Sequence, residues 1–410
     1  MAHASPKRPR EAELIAMLAA VMSLMAFSTD SILPAMSDIG AALAPDDKSK
    51  TQLIVSIFML GTGFGMLIFG PLADSLGRKK AYALGVTLYM ISAAACVLAP
   101  NLETLVALRF MMGFGAASSR AVVQAVTRDL YKGEDQARIN SLIFMVFVVV
   151  PALAPLMGQQ IVFAVGWRGL MGAYVAYGAF TLIWLFTRLP ETLVPQNRRP
   201  FRLRPVLAAF REVTGHPITR RYTLVLMLLY GQFVAFLASA EQLFVDALGV
   251  GHAFPLYFAL VSVFAAGAGL VNAKIVGRFG IRRLIAFAFA SQTILSSVLA
   301  LLWFTVLAPT VATVGPLELV LFLIWASWLF MVNGLVMGNL TALAMEPMGH
   351  IAGSAAAVTT ALGLGAGMVI AVPLGAAFDG TPRILMAGTA LLCAIAFLLV
   401  WQDLKARKRG

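Results

Sequence analysis

The chain is 410 residues long, 60% hydrophobic and only 12% charged, with a formal net charge of +12 at pH 7. Soluble domains are closer to half apolar and a quarter charged. The composition therefore excludes an ordinary soluble protein and indicates an integral membrane protein. In such a protein a positive balance reflects membrane topology and anionic lipid, so we expect no nucleic-acid partner.

Apolar runs of spanning length recur along the whole chain. About 20 apolar residues cross a bilayer as a helix, and a helix satisfies its own backbone polar groups in lipid. The basic start lacks a small-x-small cleavage site, so we expect a retained first helix rather than a signal peptide. The sequence predicts an all-α membrane protein with twelve transmembrane helices, at 14–33, 52–73, 81–99, 102–126, 139–165, 169–187, 222–247, 254–276, 284–304, 316–344, 352–377 and 382–401.

The basic residues predict the orientation of these helices. Most of the 31 lysines and arginines fall in alternate loops and at the two termini, at 7–10, 78–80, 128–138, 188–221, 274–283 and 405–409. The opposite loops hold Lys48, Lys50, Arg168 and Arg383. Because Lys and Arg favour cytoplasmic loops, we expect both termini in the cytoplasm.

A polar stretch divides the chain into two halves of six predicted helices. It reads "RLPETLVPQNRRPFRLRP" and covers 188–205. The loop "ADSLGRKKAYAL" from Ala73 matches "VGRFGIRRLIAF" from Val276, with Gly77 aligned to Gly280. We predict a six-helix bundle at 1–187, a cytoplasmic linker at 188–221 and a second bundle at 222–410, as in transporters built from repeats.

Seven short segments along the chain resemble one family. They are "TDSILPAM", "GPLADSLGRKKAYALG" (70–85), "LRFMMGFGAA" (108–117), "RDLYKGEDQAR", "APLMGQQI" with "GWRG", "LPETL" and "IAGSAAA". The chain resembles the major facilitator superfamily, and within it the drug–proton antiporters of the bicyclomycin/chloramphenicol-resistance type. The resemblance implies two pseudo-symmetric bundles in the bacterial inner membrane, and export of small amphipathic compounds in exchange for protons.

Asp30 lies near the end of a run, 14–33, that otherwise holds no charge. Ionisable residues inside a span usually mark a proton or substrate route. The resemblance implies that this acid accepts the coupled proton and contacts the substrate. The alternative is an interfacial position, about 6 Å before Pro34 at 1.5 Å per residue, from which the side chain reaches water.

Arg109 and Arg120 are the two basic residues inside a predicted span. Arg109 lies about 10 Å from the outer start of its helix, where an arginine keeps its charge and needs a partner. The resemblance implies that Arg109 couples protonation to substrate binding; the alternative is an ion pair between helices 1 and 4. Arg120 either reaches the cytoplasmic face or contacts an anionic substrate group.

Glu241, in "LASAEQLFVD", departs from the family, which usually has uncharged residues here. Because span 7 is the repeat equivalent of span 1, this carboxylate could bind a second proton or attract a cationic substrate. The alternative places Glu241 and Asp246 in water at the outer mouth, with Glu318 interfacial.

Five residues form a predicted gating group: Asp74, Gly77, Arg78, Asp129 and Ser354. The resemblance implies that Arg78 pairs with Asp129 and that Asp74 meets the positive N-terminus of helix 11 near Ser354, which locks one transport state. The alternative is a loop that only fixes topology. Gly277 stands at the position equivalent to Asp74, so we expect a lock in the N-terminal half alone.

Helix 5 and the walls of a substrate site complete the candidates. Pro151, Pro155 and Gly158 allow bending and close packing, and the resemblance implies a segment that prevents proton leakage, although Gln159 replaces a usual glycine. The candidate substrate residues, each of which could instead serve helix packing or lipid contact, are Asp30, Tyr230, Gln232, Phe233, Phe236, Asn272, Trp325, Asn333 and Asn339.

The sequence favours a transporter over an enzyme or a receptor. The four histidines lie outside the predicted spans without zinc spacing, no P-loop pattern is present, and the two cysteines fall within spans. We expect no cofactor, no metal and a monomer that moves a small molecule with protons. A dedicated metabolite or siderophore exporter, a proton-coupled importer and a receptor remain alternatives.

Overall fold

The structure, a computed structural model, describes residues 9–45, 48–198, 200–202, 204–307 and 315–409. Residues 7, 8 and 199 of the basic clusters lie outside the described residues. The helices are α1 (Glu11–Asp30), α2 (Met36–Leu43), α3 (Leu53–Leu76), α4 (Arg78–Val97), α5 (Leu102–Leu130), α6 (Gly133–Arg188), α7 (Arg204–Gly215), α8 (Pro217–Glu241), α9 (Phe254–Phe279), α10 (Ile281–Thr305), α11 (Pro316–Met345), α12 (Ala352–Ala376) and α13 (Arg383–Arg409).

The predicted all-α membrane fold is confirmed. In the described part of the chain, ten segments are long and apolar enough to cross a membrane. Two of them, Val149–Arg188 and Pro316–Ala376, each overlap two of the twelve predicted spans. Helix α6 is broken at Gly166, whose φ of 71° is left-handed and suits glycine. This break separates predicted spans 5 and 6.

Helix ends coincide with residues that cannot continue a helix or that cap one. Gly77 and Gly280, the aligned glycines of the repeated loop, precede α4 and α10 with φ values of 98° and 77°. Asn101 begins α5, because its side chain accepts a hydrogen bond from the Thr104 amide at 2.9 Å. The same turn chemistry therefore recurs at equivalent loops of the two halves.

The described chain divides into two compact units. The first contains the described residues up to Ala35 together with Ile57–Ala208. In this unit α1 packs against α5 and α6, and α4 packs against the same two helices. Gly113 lets the backbones of α5 and α3 approach, since a Cβ there would overlap the Phe58 carbonyl oxygen.

The second unit contains Met36–Ser56 and the chain from Ala209 onward. Its principal helix pairs are α8 with α12, α10 with α13, and α11 with α8 and α9. Aromatic rings from α8, α9 and α11 pack edge to face at its core, for example Phe236 with Phe330 at 5.4 Å between centroids. The segment that follows α1 therefore packs with the second unit although its two ends continue into the first.

Large apolar side chains are exposed along the helices of both units, including Ile91, Phe163, Leu256 and Phe287. In a soluble protein such surfaces would be unfavourable. In a membrane protein they face lipid tails, which are as apolar as leucine. The apolar outer surfaces of the helices thus support the same conclusion as their length, that these helices cross a membrane.

Candidate functional site

Asp30 is the last residue of α1 and only 5% of its surface is exposed. Its carboxylate makes no hydrogen bond or ion pair within the part of the chain that the structure describes. After Asp30 the chain leaves the helix through Ser31, whose amide still donates to the Phe27 carbonyl oxygen at 3.0 Å. The acid therefore lies at a helix end, buried in the first unit.

Arg109 of α5 is fully buried. Its Nη2 donates to the Ser28 carbonyl oxygen at 3.0 Å, and its guanidinium stacks over the Phe58 ring at 4.3 Å. No ion pair joins Arg109 to Asp30 among the described residues. The structure thus places the Arg109 guanidinium against the backbone of α1, two residues before Asp30.

Two tyrosines and two serines complete this polar region, and sequence reasoning missed them. Ser28 Oγ lies 2.6 Å from Tyr89 Oη, and Ser31 Oγ lies 3.0 Å from Tyr174 Oη. All four side chains are buried, and buried hydroxyls require such partners. The serines flank Asp30 in the sequence, but their tyrosine partners come from α4 and α6 and carry no local signal.

Gly158 of α6 lies against the backbone beside Asp30. A Cβ at Gly158 would overlap the carbonyl oxygen of Ser31. Pro155 and Pro151 lie within the same helix, about one and two turns earlier, where each removes a backbone donor. Of the residues predicted from the helix-5 motif, Gly158 therefore adjoins the backbone next to the buried acid.

The predicted gating residues of the first unit form a tight charge cluster. Arg78 is buried and donates through Nε and Nη2 to the two carboxylate oxygens of Asp129, at 2.8 and 3.1 Å. Its Nη1 donates to Asp74 Oδ1 at 2.7 Å. A bidentate arginine–carboxylate pair fixes both partners in one geometry. Ser354 lies in the first turn of α12, in the second unit.

Glu191, in the "LPETL" motif, is a further member that sequence reasoning did not assign. Its Oε1 accepts a hydrogen bond from the Arg78 amide at 2.9 Å, and its Oε2 accepts one from the Lys79 amide at 3.1 Å. These amides are the first of α4, where a carboxylate satisfies unpaired donors and the helix dipole. The carboxylate lies where a Cβ at Gly77 would project, at 2.6 Å, and the φ of 98° at this position favours glycine.

Glu241 ends α8 as Asp30 ends α1, and it is equally buried, at 5% exposure. Its Oε1 accepts a hydrogen bond from the Ser37 hydroxyl of α2. The next residue, Gln242, begins a π-helical turn over Gln242–Ala247 and accepts a hydrogen bond from Gln52 Nε2 at 2.5 Å. Asp246 is exposed. Glu241 and Asp246 therefore differ in burial, and Glu241 has a specific partner in Ser37.

The candidate substrate residues of the second unit fall into two groups. Phe236 is enclosed by the rings of Phe322, Trp325 and Phe330, and the Gln232 oxygen accepts from the Cys393 thiol at 3.0 Å. These residues make helix-packing contacts.

The asparagines and Tyr230 form the other group. Asn339 donates to the Asn272 side chain at 2.7 Å, and Asn333 donates to the Leu329 carbonyl at 3.0 Å. The ring of Tyr230 lies against Gly363 of α12. These side chains connect α8, α9, α11 and α12 through polar or close contacts.

A second charge cluster lies in the second unit and is centred on Asp403 of α13. Asp403 is buried and accepts hydrogen bonds from Arg221 Nη1 at 2.9 Å, Tyr222 Oη at 2.7 Å and Arg282 Nε at 2.9 Å. Arg282 Nη2 also donates to Glu346 Oε2 at 2.9 Å. Four helix ends, those of α8, α10, α11 and α13, are joined by these contacts.

This second cluster has carboxylates although the second half has no acid at the position equivalent to Asp74. Gly277 stands where the first half has Asp74, and the sequence led us to expect a charge cluster in the first half alone. The carboxylates of Asp403 and Glu346 come instead from other helices. Arg282, at the start of α10, binds them as Arg78 at the start of α4 binds Asp129 and Asp74.

Two further predictions concern Arg120 and metal binding. Arg120 is half-buried, and its Nε has no hydrogen-bond partner among the described residues. In the same part of the chain, no group of His, Cys, Asp or Glu side chains could hold a metal ion. Cys96 and Cys393 are buried free thiols.

Comparison with known proteins decides the family. A profile described as Major Facilitator Superfamily matches residues 16–372. The chain belongs to the Major Facilitator Superfamily. It is 25% identical over 397 residues to Multidrug resistance protein D of Escherichia coli, covering 96% of each protein. It is 27% identical over 273 residues to a bicyclomycin resistance protein homolog of Haemophilus influenzae, covering 65% of this chain and 67% of that protein.

A solved structure supports the same fold. The D-xylose–proton symporter superposes with a TM-score of 0.75 at 16% identity, covering 95% of this chain and 97% of the symporter. At this identity the likeness concerns the fold alone. The resemblance read from the sequence motifs is therefore confirmed, and the protein is a multi-pass transporter of a fold and family that are not those of enzymes.

Proposed function

We propose that this transporter exports small amphipathic compounds in exchange for protons, by alternating access, in the bacterial inner membrane with both termini in the cytoplasm. The observation that carries the proposal is the buried Asp30 at the end of α1, unpaired among the described residues. Burial without a cation favours the neutral acid. Such a group therefore holds a proton unless a substrate or water stabilises its charged form. The two relatives with resistance names support a drug substrate.

In this proposal Asp30 binds either a proton or the substrate. Arg109 biases that choice, because its guanidinium is held at the Ser28 carbonyl, two residues before the acid. A shift of α1 that brought the carboxylate to the guanidinium would favour the charged acid and release the proton. Glu241 serves as a second coupling acid of the second unit. Tyr230, Gln232, Phe236, Asn272, Asn333 and Asn339 remain proposed substrate contacts.

The gating group is proposed to stabilise one transport state. Arg78 is buried and pairs with Asp129 and the more exposed Asp74, so breaking these pairs would leave a buried cation without partners, which is costly. Gly77 allows Glu191 to fix the start of α4. Ser354 remains a proposed member of the gating group. Pro151, Pro155 and Gly158 are proposed to prevent proton leakage beside Asp30.

The test compares Asp30→Asn with the wild type in proteoliposomes under an imposed pH gradient. Amphenicols and lipophilic cations are added in turn, and proton efflux and substrate movement are recorded together. The matched control is Asp38→Asn, the same chemical change at an exposed position in α2. We expect substrate-dependent proton movement in the wild type and the control, and its loss in Asp30→Asn.

Four outcomes would each contradict part of the proposal. Equal coupled transport by Asp30→Asn and the wild type would assign the coupling elsewhere, with Glu241 the next candidate. Uptake of a nutrient driven by inward proton movement would favour an importer of the same fold. Ligand binding without any flux in the wild type would favour a receptor, and transport of a single metabolite would favour a dedicated exporter.

A further inference from the structure

Helix α7 (Arg204–Gly215) is joined almost directly to a membrane-spanning helix. Only His216 separates it from α8. The His216 amide donates to the Glu212 carbonyl at 2.9 Å, and its ring Nδ1 accepts from the Thr219 amide at 3.5 Å. The turn between the two helices is therefore fixed, and the twelve residues of α7, about 18 Å long at 1.5 Å per residue, start from the membrane surface.

One face of α7 is covered by the protein and another is not. Ala209 and Val213, four residues apart, are buried. Leu207 and Phe210, three residues apart on a different face, are 57% and 42% exposed. Phe201, shortly before the helix, is exposed as well. The helix thus has an apolar surface that the described chain leaves uncovered.

The charges of α7 are arranged around this apolar surface. Arg204 and Arg211, two turns apart, are exposed on the face next to Leu207 and Phe210. The one acid in the α7 sequence, Glu212, is instead paired with His350, with Glu212 Oε1 2.7 Å from His350 Nε2. The uncovered surface is therefore apolar at its centre and basic at its side.

We propose that this surface of α7 docks on acidic phospholipid of the bilayer that the transporter spans. Leu207 and Phe210 enter the boundary between headgroups and acyl chains, and Arg204 and Arg211 bind lipid phosphates. A lipid surface is favoured over a protein partner because α8 continues from α7 into the membrane after one residue, and because the exposed charges are positive. This docking fixes the linker between the two predicted bundles, independently of the transported compound.

The test uses nitroxide spin labels on the full-length transporter in nanodiscs of phosphatidylcholine with or without phosphatidylglycerol. Cys96 and Cys393 are buried, so a thiol-reactive label selects an introduced cysteine. Leu207→Cys places the label on the apolar face, and Ala208→Cys is the matched control on the next residue, which points elsewhere. Collision with oxygen and with a water-soluble nickel chelate gives the depth of each label.

We expect the label at 207 to lie about 5–10 Å below the headgroup phosphates in phosphatidylglycerol nanodiscs, with the label at 208 accessible to the nickel chelate. Arg204→Gln and Arg211→Gln should each lower the ratio of docked to undocked label about fivefold in acidic discs. Equal nickel accessibility at 207 and 208 would overturn docking. A label at 207 shielded from both reagents would indicate a protein cover instead. A depth unchanged by the arginine variants and by phosphatidylglycerol would overturn the role of acidic lipid.

Discussion

Replacing Asp403 by asparagine should destabilise the second unit strongly. Asp403 receives hydrogen bonds from Arg221, Tyr222 and Arg282, and its own side chain is 6% exposed. Removing one partner of a buried ion pair costs about 3–5 kcal/mol. The two arginines are 30% and 20% exposed, so water offsets part of the loss, and Arg282 keeps Glu346. We expect Asp403→Asn to lower the free energy of unfolding by about 2–4 kcal/mol.

The assay follows the exposure of a buried thiol during heating. In a Cys96→Ala background, Cys393 lies on α13 with Asp403 and is buried, so a thiol-reactive fluorophore reports opening of this unit. For a unit of about 200 residues, each kcal/mol changes the apparent Tm by about 2–4 °C. A loss near the middle of the range, about 3 kcal/mol, lowers the Tm by about 6–12 °C.

The matched control makes the same substitution at a surface ion pair. Asp379 pairs with Arg383, and both side chains are 25% exposed. Burial raises the pKa of Asp379, but hydrogen bonds from Thr381 and Arg383 outweigh this and leave the pKa below its ordinary value. Such a pair contributes about 0–1 kcal/mol, so Asp379→Asn should hardly change the Tm. Equal shifts in the two variants would refute the argument that burial of the Asp403 cluster determines its strength.

Two further predictions concern the first unit. Gly158→Ala should abolish coupled transport, because the added Cβ overlaps the Ser31 carbonyl beside Asp30. The control is Gly172→Ala, also in α6, where a Cβ meets open space and coupled transport should be retained. Equal transport by the two variants in proteoliposomes would contradict the prediction. Glu191→Ala should lower stability by about 1–2 kcal/mol through loss of the cap on α4, measured by thiol exposure at Cys96, and Glu191→Gln, which still accepts one hydrogen bond, should lose less. A larger loss in the glutamine variant would contradict the capping role.

Much of the fold could be predicted because its signals are local. A bilayer requires about 20 apolar residues per helix, and each of the twelve apolar runs falls on a helical segment of the structure, with the break in α6 between two of them. Gly77 and Gly280 were aligned from a short repeat, and both prove to need a positive φ. The pairing of Arg78 with Asp129 was predicted from a family motif, and the two side chains are bound in the structure.

The interactions that the sequence did not indicate join residues far apart in the chain. Glu191 caps α4 across 113 positions, and Tyr222 donates to Asp403 across 181. Arg109 contacts a backbone carbonyl, which every residue has, so no residue type could identify that partner. The sequence by itself determined which segments cross the membrane, because that depends on local hydropathy. Only the tertiary structure decided which buried charges meet, because helix packing brings together side chains that have no periodic relation along the chain.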